Sequence, residues 1–466
     1  MTVLAEEATA ALGRRLGGTV LVPGDAAFED ATRLWNGMIA RTPAVVVEAA
    51  GPSDVVAAVE FARERGLAVS VRGGGHNIAG TALADGGVTI DMSRLREVVV
   101  DPDARTAVVE PGCLLGDVDR ATQAHGLATP LGFISEVGVA GLTLGGGLGY
   151  LTRRFGWTVD NLLGVELVTA DGVLRRASRD ENAELFWGVR GAGANLGVVT
   201  SFTFRLHEVG PTVHGGLVAW PFERADEILR AYRRVTAGAA RDLAAWMLVL
   251  HAPAAPFVPA EWHGEKLCGM AVCHSGDPGA AAAALAAIRA LGEPVVDLLR
   301  PQPYTELQSS LDATEPKGLQ HYWKTEYVAE LSDELLATVR RLFAECPFPE
   351  VEIGFLHLEG ALNERAEDDG AVGNRDARYV VGVKGMWDAD EPQGDRIRGW
   401  IRDAWRQIRP FSTGRTYVNF QTADEDDDRI RATYGDNFDR LVRLKQRYDH
   451  DNTFRSNRNI PSGSGR

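Results

Sequence analysis

The segment Val69 to Gly80, which reads V-S-V-R-G-G-G-H-N-I-A-G, decides how the rest of the chain is interpreted. Leu67, Val69 and Val71 alternate with other residues, a pattern that predicts the end of a half-buried strand. Three glycines follow, and glycine lets backbone N–H groups turn toward an anion at short range. The segment therefore predicts a strand that leads into a diphosphate-binding loop, and His76, which such a loop does not need, requires its own explanation.

The segment has two other interpretations. A glycine-rich surface turn could contain a histidine by chance, because a single glycine motif is a weak signal. The dinucleotide-binding fingerprint fits poorly, since no long amphipathic helix follows and Ala84 to Gly87 turns the chain within a few residues.

A second glycine-rich segment, Val137 to Gly149, reads V-G-V-A-G-L-T-L-G-G-G-L-G, and P-G-x-x-x-G lies between the two at Pro111 to Gly116. This order of motifs resembles flavoproteins of the vanillyl-alcohol oxidase and p-cresol methylhydroxylase superfamily. Within it, the chain is similar to the berberine-bridge-enzyme-like branch and its bacterial 6-hydroxynicotine oxidases and polyketide-tailoring oxidases. The resemblance covers nearly the whole chain and includes L-F-W-G-V-R-G at 185–191, N-L-G-V-V-T at 195–200, Y-V-N at 417–419, Y-G at 434–435 and Y-D-H-D-N-T-F-R at 448–455.

The resemblance implies an α+β fold in three parts. Residues 1–207 would form an FAD-binding domain whose two α/β subdomains, at about 19–100 and 106–207, sandwich the cofactor. Residues 208–410 would form the substrate-binding domain, and residues 411–466 a return segment that completes the FAD-binding domain. From the residues themselves, strands alternating with long amphipathic helices after Gly215 predict a sheet covered by helices on one face. We also predict a helix over 26–38 and a strand over 417–420.

The resemblance assigns the cofactor site as follows. His76 would carry the flavin covalently at its 8α-methyl carbon. The other cofactor-binding residues would be Arg72, Gly73, Gly74, Gly75, Asn77 and Gly80 at the diphosphate; Gly138, Gly141 and Gly146 at the flavin or ribityl chain; Gly197 and Val199 at the adenine side; and Asn457 and Asn459 near the ring. The alternative for each glycine is an ordinary turn.

Two positions bear on attachment and on oxygen. Many relatives attach the flavin a second time through a cysteine at the position of Ile134, and isoleucine forms no thioether. A single covalent bond is therefore expected, while Cys113 is interpreted as a core residue. Val137 occupies a position that lies near the oxygen-reactive face of the ring in the family, where valine accompanies oxidase behaviour. The alternative is a valine that only packs the core.

The catalytic base is sought on two strands. Alternation places His357 and Glu359 on one face of a strand, and a histidine titrating near neutral pH suits general-base work. The alternative is a polar surface face. Several relatives use a tyrosine at the position of Phe420, so that role is absent here, and Tyr417 remains as a candidate on the other face. The further candidates for the substrate pocket are Tyr150, Trp246, Tyr322, Trp323 and Lys324, which could equally be packing residues.

Composition excludes several other classes. The chain has 466 residues with 45% hydrophobic and 24% charged residues, which is typical of a soluble globular protein. Its net charge of −15 argues against a nucleic-acid partner and mildly favours neutral or cationic substrates. The four cysteines lack zinc or disulfide spacing, so no metal is expected and a reducing, cytoplasmic location fits. No signal peptide and no membrane span are apparent.

The sequence thus predicts an FAD-linked oxidase, of bacterial type by resemblance, that acts on a small secondary metabolite, an alcohol or an amine, by hydride transfer to flavin N5. Oxygen would reoxidise the flavin and give hydrogen peroxide, and the protein would be a monomer or homodimer. Two rivals remain: a dehydrogenase of the same fold with another acceptor, and a flavin-carrying binding protein that has lost its base.

Overall fold

The first sheet contains the strand that begins the segment Val69 to Gly80, and the glycine loop lies at one edge of this sheet. A computed structural model describes residues 4–463. The sheet contains four strands in the order β1-β2-β4-β3, of which β2, β4 and β3 are parallel and β1 is antiparallel. Its elements are β1 (Thr19–Leu21), β2 (Val45–Glu48), β3 (Val69–Arg72), β4 (Val88–Asp91), α1 (Glu6–Gly13), α2 (Phe28–Thr32) and α3 (Pro52–Glu64).

The unbroken valine run of β2 explains why this sheet is parallel. Val45, Val46 and Val47 are all fully buried, as expected for a strand covered on both faces. Helix α3 packs its apolar face against the sheet through Val55 and Val59. Because β3 ends at the same edge as its parallel neighbour β4, the glycine loop after β3 is held at that edge.

The second sheet is antiparallel and has the order β5-β6-β10-β8-β9, beside a two-stranded ribbon of β7 and β11. Its strands are β5 (Val98–Asp101), β6 (Thr106–Val109), β7 (Leu127–Ala128), β8 (Leu162–Val168), β9 (Leu174–Ser178), β10 (Val198–Arg205) and β11 (His207–Glu208). Its helices are α4 (Leu115–Gln123), α5 (Val139–Leu144), α6 (Thr152–Phe155) and α7 (Ala183–Ala192).

The third sheet has eight antiparallel strands in the order β15-β12-β14-β13-β18-β19-β17, with β16 also paired to β12. Its strands are β12 (Thr212–Pro221), β13 (Leu243–His251), β14 (Lys266–His274), β15 (Val296–Asp297), β16 (Arg300–Pro303), β17 (Gln320–Val328), β18 (Val351–His357) and β19 (Tyr379–Trp387). The helices that follow in the chain are α8 (Ala225–Ala237), α9 (Pro278–Arg289), α10 (Tyr304–Ser309), α11 (Asp333–Glu345), α12 (Gly394–Ile408), α13 (Asp427–Tyr434) and α14 (Phe438–Tyr448).

The two faces of the third sheet have different neighbours. On β18 the alternate residues Ile353 and Phe355 are fully buried in a core that α8, α11 and α12 complete. We call this the helix face. Leu356, on the opposite side of the strand, packs against residues of the second sheet's domain, including Tyr150 and Leu151. We call this the cleft face, and it decides which side chains can reach a ligand held between the sheets.

Two predicted elements differ from the structure. The helix expected over 26–38 is limited to α2, after which the chain turns so that the Trp35 N–H donates to the Gly75 carbonyl at 3.1 Å. The strand expected over 417–420 is a 3-10 turn at Val418–Phe420. The predicted sheet with helices on one face is confirmed.

Within residues 4–463, no helix combines the length and apolarity needed to cross a membrane, and no cluster of three or more histidine, cysteine, aspartate or glutamate side chains could hold a metal. All four cysteines are buried and free.

Candidate functional site

The two glycine-rich segments meet. A Cβ added to Gly74 would lie 2.4 Å from the Gly138 nitrogen, and one added to Gly138 would lie 2.3 Å from the Gly74 nitrogen. Real side chains do not approach backbone so closely, so both positions must lack one for the loops to touch. The contact brings the loop after β3 and the start of α5 together, as the resemblance predicts.

Three residues of the first loop fix its conformation. Arg72 pairs with Asp91 on the neighbouring strand. The Asn77 side-chain oxygen accepts the Ala79 N–H at 3.0 Å and so closes its own turn. Gly80 has φ +69°, and a Cβ there would meet Ile39 at 2.5 Å. These three residues shape the loop, and the half-buried Gly73 and Gly74 supply its accessible backbone. Gly75, also predicted to bind the cofactor, is buried, and its carbonyl accepts the Trp35 N–H.

Helix α5 borders open space beside this loop, which we call the cleft. Gly141 is exposed, and no protein atom lies within 4 Å of a Cβ added to it. Leu142 and Leu144 on the same short helix are half-buried, and the buried Thr143 hydroxyl has no hydrogen-bond partner among the described residues. Accessible apolar side chains and an unpartnered hydroxyl on one short helix suit a flat, partly polar ligand.

The ends of the second glycine segment also face this region. Val137 is half-buried and lies next to Gly138 in the chain. Gly146 has φ +119°, and a Cβ there would approach Val372 at 3.1 Å and the Tyr417 ring at 3.4 Å. Ile134, where relatives have a cysteine, is buried and only 7% exposed.

The C-terminal tail contains two asparagines whose side-chain oxygens are unpartnered within residues 4–463. The buried ammonium of Lys445 donates to Asp449 at 2.6 Å and to the carbonyls of Asn195 and Phe454, which fixes the tail after α14. The side-chain oxygens of Asn457 and Asn459 are buried without a partner among the described residues. Unpartnered buried acceptors cost free energy, and N–H or O–H groups of a cofactor would satisfy them.

The expected adenine side lies along β10. A Cβ on Gly197 would meet the Val168 carbonyl at 2.6 Å, so this position must be glycine for β10 to approach β8. The pairing of the two strands shifts register between Val199 and Ser201. A β-bulge frees backbone groups from the ladder, which supports the expectation that backbone near Val199 serves a ligand.

His76 is held in an aromatic stack at the edge of the cleft. Its ring lies 5.2 Å from that of Trp35, which in turn stacks on His321 at 3.7 Å. Burial, together with the nearby Lys317 ammonium, lowers the pKa of His76 to about 4. Its imidazole is therefore neutral at physiological pH and keeps a nucleophilic ring nitrogen.

Tyr417 lies against the second glycine segment. Its hydroxyl oxygen accepts the Gly147 N–H and the Asn419 amide, each at 2.8 Å, and burial raises the pKa of the phenol well above its ordinary value. Its ring lies 4.9 Å from that of Phe420, so the turn brings together two side chains that the sequence had placed on opposite faces. Tyr417 is a neutral phenol rather than a proton acceptor.

His357 is not on the cleft face, which contradicts its predicted role as the base. It does lie near Glu359, with Nε2 and Oε2 3.6 Å apart, but its ring stacks on Tyr379 at 5.1 Å inside the helix face. Burial and the charges of Arg153 and Arg378 lower the pKa of His357 to about 2. Glu359 pairs with Arg378 at 2.8 Å. The strand ends at His357, so Glu359 lies beyond it, and alternation could not tell which side of the sheet the His357 face meets.

The same error affects Tyr322 and Lys324, predicted to contact substrate. Both lie on the helix side of β17, where the Tyr322 hydroxyl donates to Asp424 at 2.7 Å and Lys324 donates to Asp424 and Glu425 at 2.8 Å. Trp323, which alternates with them, faces the cleft and donates to the Phe420 carbonyl at 2.7 Å.

Tyr150 and Trp246 do meet on the cleft face. Their rings stack at 4.4 Å with 12° between planes, and Phe133 meets the edge of Trp246 at 4.7 Å. Leu356 packs against the same cluster. We call these four residues the aromatic wall.

Sequence reasoning missed a charged group on the same face. Lys384 of β19 donates to Glu315 and lies 3.5 Å from Glu352 of β18. Glu315 precedes β17 by several residues, so no local pattern links it to the other two. Trp35, which stacks on His76, and His321, which stacks on Trp35, were also missed because they come from separate parts of the chain.

The chain matches two protein families and is similar along most of its length to known FAD-linked enzymes. Residues 43–178 match the family described as FAD binding domain, and residues 416–461 match the family described as berberine and berberine like. An FAD-linked oxidoreductase of Dictyostelium discoideum is 31% identical over 434 residues, covering 93% of this chain and 92% of the relative. The (R)-6-hydroxynicotine oxidase of Paenarthrobacter nicotinovorans is 29% identical over 464 residues, with 96% and 97% covered.

Solved structures show the same relationship. The crystal structure of 6-hydroxy-D-nicotine oxidase from Arthrobacter nicotinovorans superposes with a TM-score of 0.87 at 26% identity, covering 96% of this chain and 98% of that one. Xylooligosaccharide oxidase from Myceliophthora thermophila C1 gives a TM-score of 0.86 at 21% identity, with 97% and 99% covered, which shows a shared fold.

Proposed function

Because the chain belongs to the berberine-like family of FAD-linked oxidoreductases, we propose that it is an oxidase whose FAD is bound covalently, once, through His76. The main support is the neutral, stacked imidazole of His76 on the loop whose Gly74 touches Gly138, next to the open position at Gly141. The described residues fit FAD: two touching glycine loops, an unhindered helix face and unpartnered buried acceptors.

When bound, FAD would accept a hydride from the substrate and pass two electrons to O2, giving hydrogen peroxide; the protein supplies position and electrostatics. His76 would fix one edge of the cofactor, and a single link follows from Ile134. Asn457 and Asn459 would accept hydrogen bonds from it.

Substrate would lie between the cofactor cleft and the cleft face of the third sheet. The aromatic wall would hold its apolar part, and Trp323 would border the same space. Tyr417, a neutral phenol fixed by Gly147 and Asn419, would order this end of the site by hydrogen bonding rather than take up a proton. Because His357 lies on the helix face and does not reach the cleft, it does not act as the base. The substrate class we propose is a small secondary metabolite with an alcohol or amine carbon to oxidise, as the name of the 6-hydroxynicotine oxidase relative suggests.

The test is a two-step flavin experiment on the purified holoprotein. A panel of small alcohols and amines is first screened anaerobically for bleaching of the flavin absorption, and the reduced enzyme is then mixed with air-saturated buffer. An oxidase is reoxidised rapidly with one hydrogen peroxide per flavin. Reduction without rapid reoxidation by oxygen would identify a dehydrogenase, and failure of every substrate to bleach the flavin would favour a binding protein.

A further inference from the structure

Two glycines lie at the centre of the cleft face, and the Leu248 side chain partly covers one of them, Gly354, where an added Cβ would meet it at 2.9 Å. Strand register aligns Gly354 of β18 with Gly382 of β19, and these lie between Leu248 of β13 and Thr325 of β17. A Cβ on Gly382 would meet only the Thr325 methyl, at 3.2 Å, and the Lys324 carbonyl at 3.8 Å. Both glycines are half-buried. The sheet surface is therefore low at Gly382, and Leu248 borders this shallow trough on the Gly354 side.

The trough separates two chemically different surfaces. On one side lies the aromatic wall, to which β18 contributes Leu356. On the other side, two residues before Gly354 and two after Gly382, lie Glu352 and Lys384. At about 3.3 Å per residue, the four residues from Leu356 to Glu352 span roughly 13 Å. A molecule that crosses the trough would therefore meet an apolar surface at one end and a charged one at the other.

The charged surface has two carboxyl groups for one ammonium. Lys384 forms ion pairs with two carboxylates, Glu315 and Glu352. The second oxygen of Glu315 is buried with no hydrogen-bond partner among the described residues. His321 adds no positive charge, because burial and the nearby Lys384 lower its pKa to about 3. Burial raises the pKa of the Glu315 carboxyl, so a cationic N–H donor would stabilise its ionised form and also satisfy the unpartnered oxygen.

Glu315 is also tied to the cofactor end of the cleft. Its backbone carbonyl accepts the Trp35 indole N–H at 2.9 Å, and Trp35 stacks on His76. The charged surface is thus fixed relative to the residue proposed to carry the flavin, as a recognition site for one end of a substrate must be.

We propose that Glu315 and Glu352, with Lys384 between them, recognise a cationic nitrogen on a substrate whose apolar part lies against the aromatic wall. This inference rests on the proposed function for the claim that the recognised molecule is oxidised. It selects protonated amines over neutral alcohols and excludes carboxylates.

The test uses three probes that share one body and differ at one end: 4-phenylbutylamine, 4-phenylbutanol and 4-phenylbutyrate. Binding to the FAD-containing enzyme is measured anaerobically from the perturbed flavin absorption spectrum. The amine is expected to bind at least tenfold more tightly than the alcohol, and the carboxylate least tightly. Equal or tighter binding of the alcohol or the carboxylate, or no saturable binding of any probe, overturns the proposal.

Variants locate the effect. Glu315→Gln should weaken binding of the amine at least tenfold and leave binding of the alcohol within twofold, and Glu352→Gln provides a second, more exposed test. Glu334→Gln, an exposed carboxylate on α11, is the matched control and should change neither. Unchanged amine binding in both cleft variants refutes the site. The amine preference is read from binding alone, so it can hold even if air fails to reoxidise the flavin, and the two claims fail separately.

Discussion

Replacing Gly141 with leucine should separate stability from cofactor binding. Gly141 lies inside α5, and no protein atom is within 4 Å of its added Cβ. Leucine favours a helix over glycine by about 1 kcal/mol, so the protein without FAD should be as stable as the parent or slightly more stable. In the FAD complex the same side chain would occupy ligand space. An overpacking cost of about 1–3 kcal/mol corresponds to roughly 5- to 150-fold weaker FAD binding.

Gly399 provides the matched control. It also lies inside a helix, α12, with no protein atom within 4 Å of an added Cβ. Both leucine variants are made in a His76→Ala background so that FAD binding is reversible, and affinity is measured by fluorescence titration while thermal unfolding reports stability. Gly399→Leu should keep parental affinity. Equal FAD affinity in the two variants would refute the assignment of the α5 cleft to the cofactor.

Three further predictions concern single residues. Val137→Ile should slow the reaction of reduced flavin with O2 and leave anaerobic reduction unchanged, as measured by stopped flow; equal slowing of both would show that Val137 only packs the core. His357→Gln should leave the rate of anaerobic flavin reduction within about twofold, since the helix face does not meet substrate; a loss of about 100-fold or more, typical of a missing general base, would contradict this placement. His357 also predicts a pH effect. Its folded pKa of about 2 lies below the ordinary value near 6.5, so the unfolded chain binds the extra proton and stability falls as pH drops below about 6.5. His357→Gln should reduce that slope by up to about 1.4 kcal/mol per pH unit in denaturant titrations, and an unchanged slope would show that His357 is accessible to protons in the folded state.

Sequence patterns predicted the fold well wherever local periodicity carries the information. The glycine loop after β3, the buried strands and the long amphipathic helices of the third sheet all follow from spacing within one segment. The order of motifs then identified the family, because several glycines that cannot carry a Cβ, such as Gly74 and Gly138, must occur at fixed places for the loops to meet.

The catalytic side of the site was harder to predict for a physical reason. Period-two alternation shows that residues such as Tyr322 and Lys324 share a face, but both faces of this sheet are covered. Whether a face meets helices or the cofactor cleft depends on tertiary packing. The group of Glu315, Glu352 and Lys384 assembles from three separate segments, so no local spacing could reveal it.

The most direct test of the central claim is to locate the flavin by peptide mapping. Protein precipitated with acid should remain yellow, and after proteolysis only the peptide containing His76 should carry the mass of FAD, while His76→Ala should release all flavin on denaturation. Flavin that washes out of the denatured parent protein, or a second flavinylated peptide containing cysteine, would contradict the account.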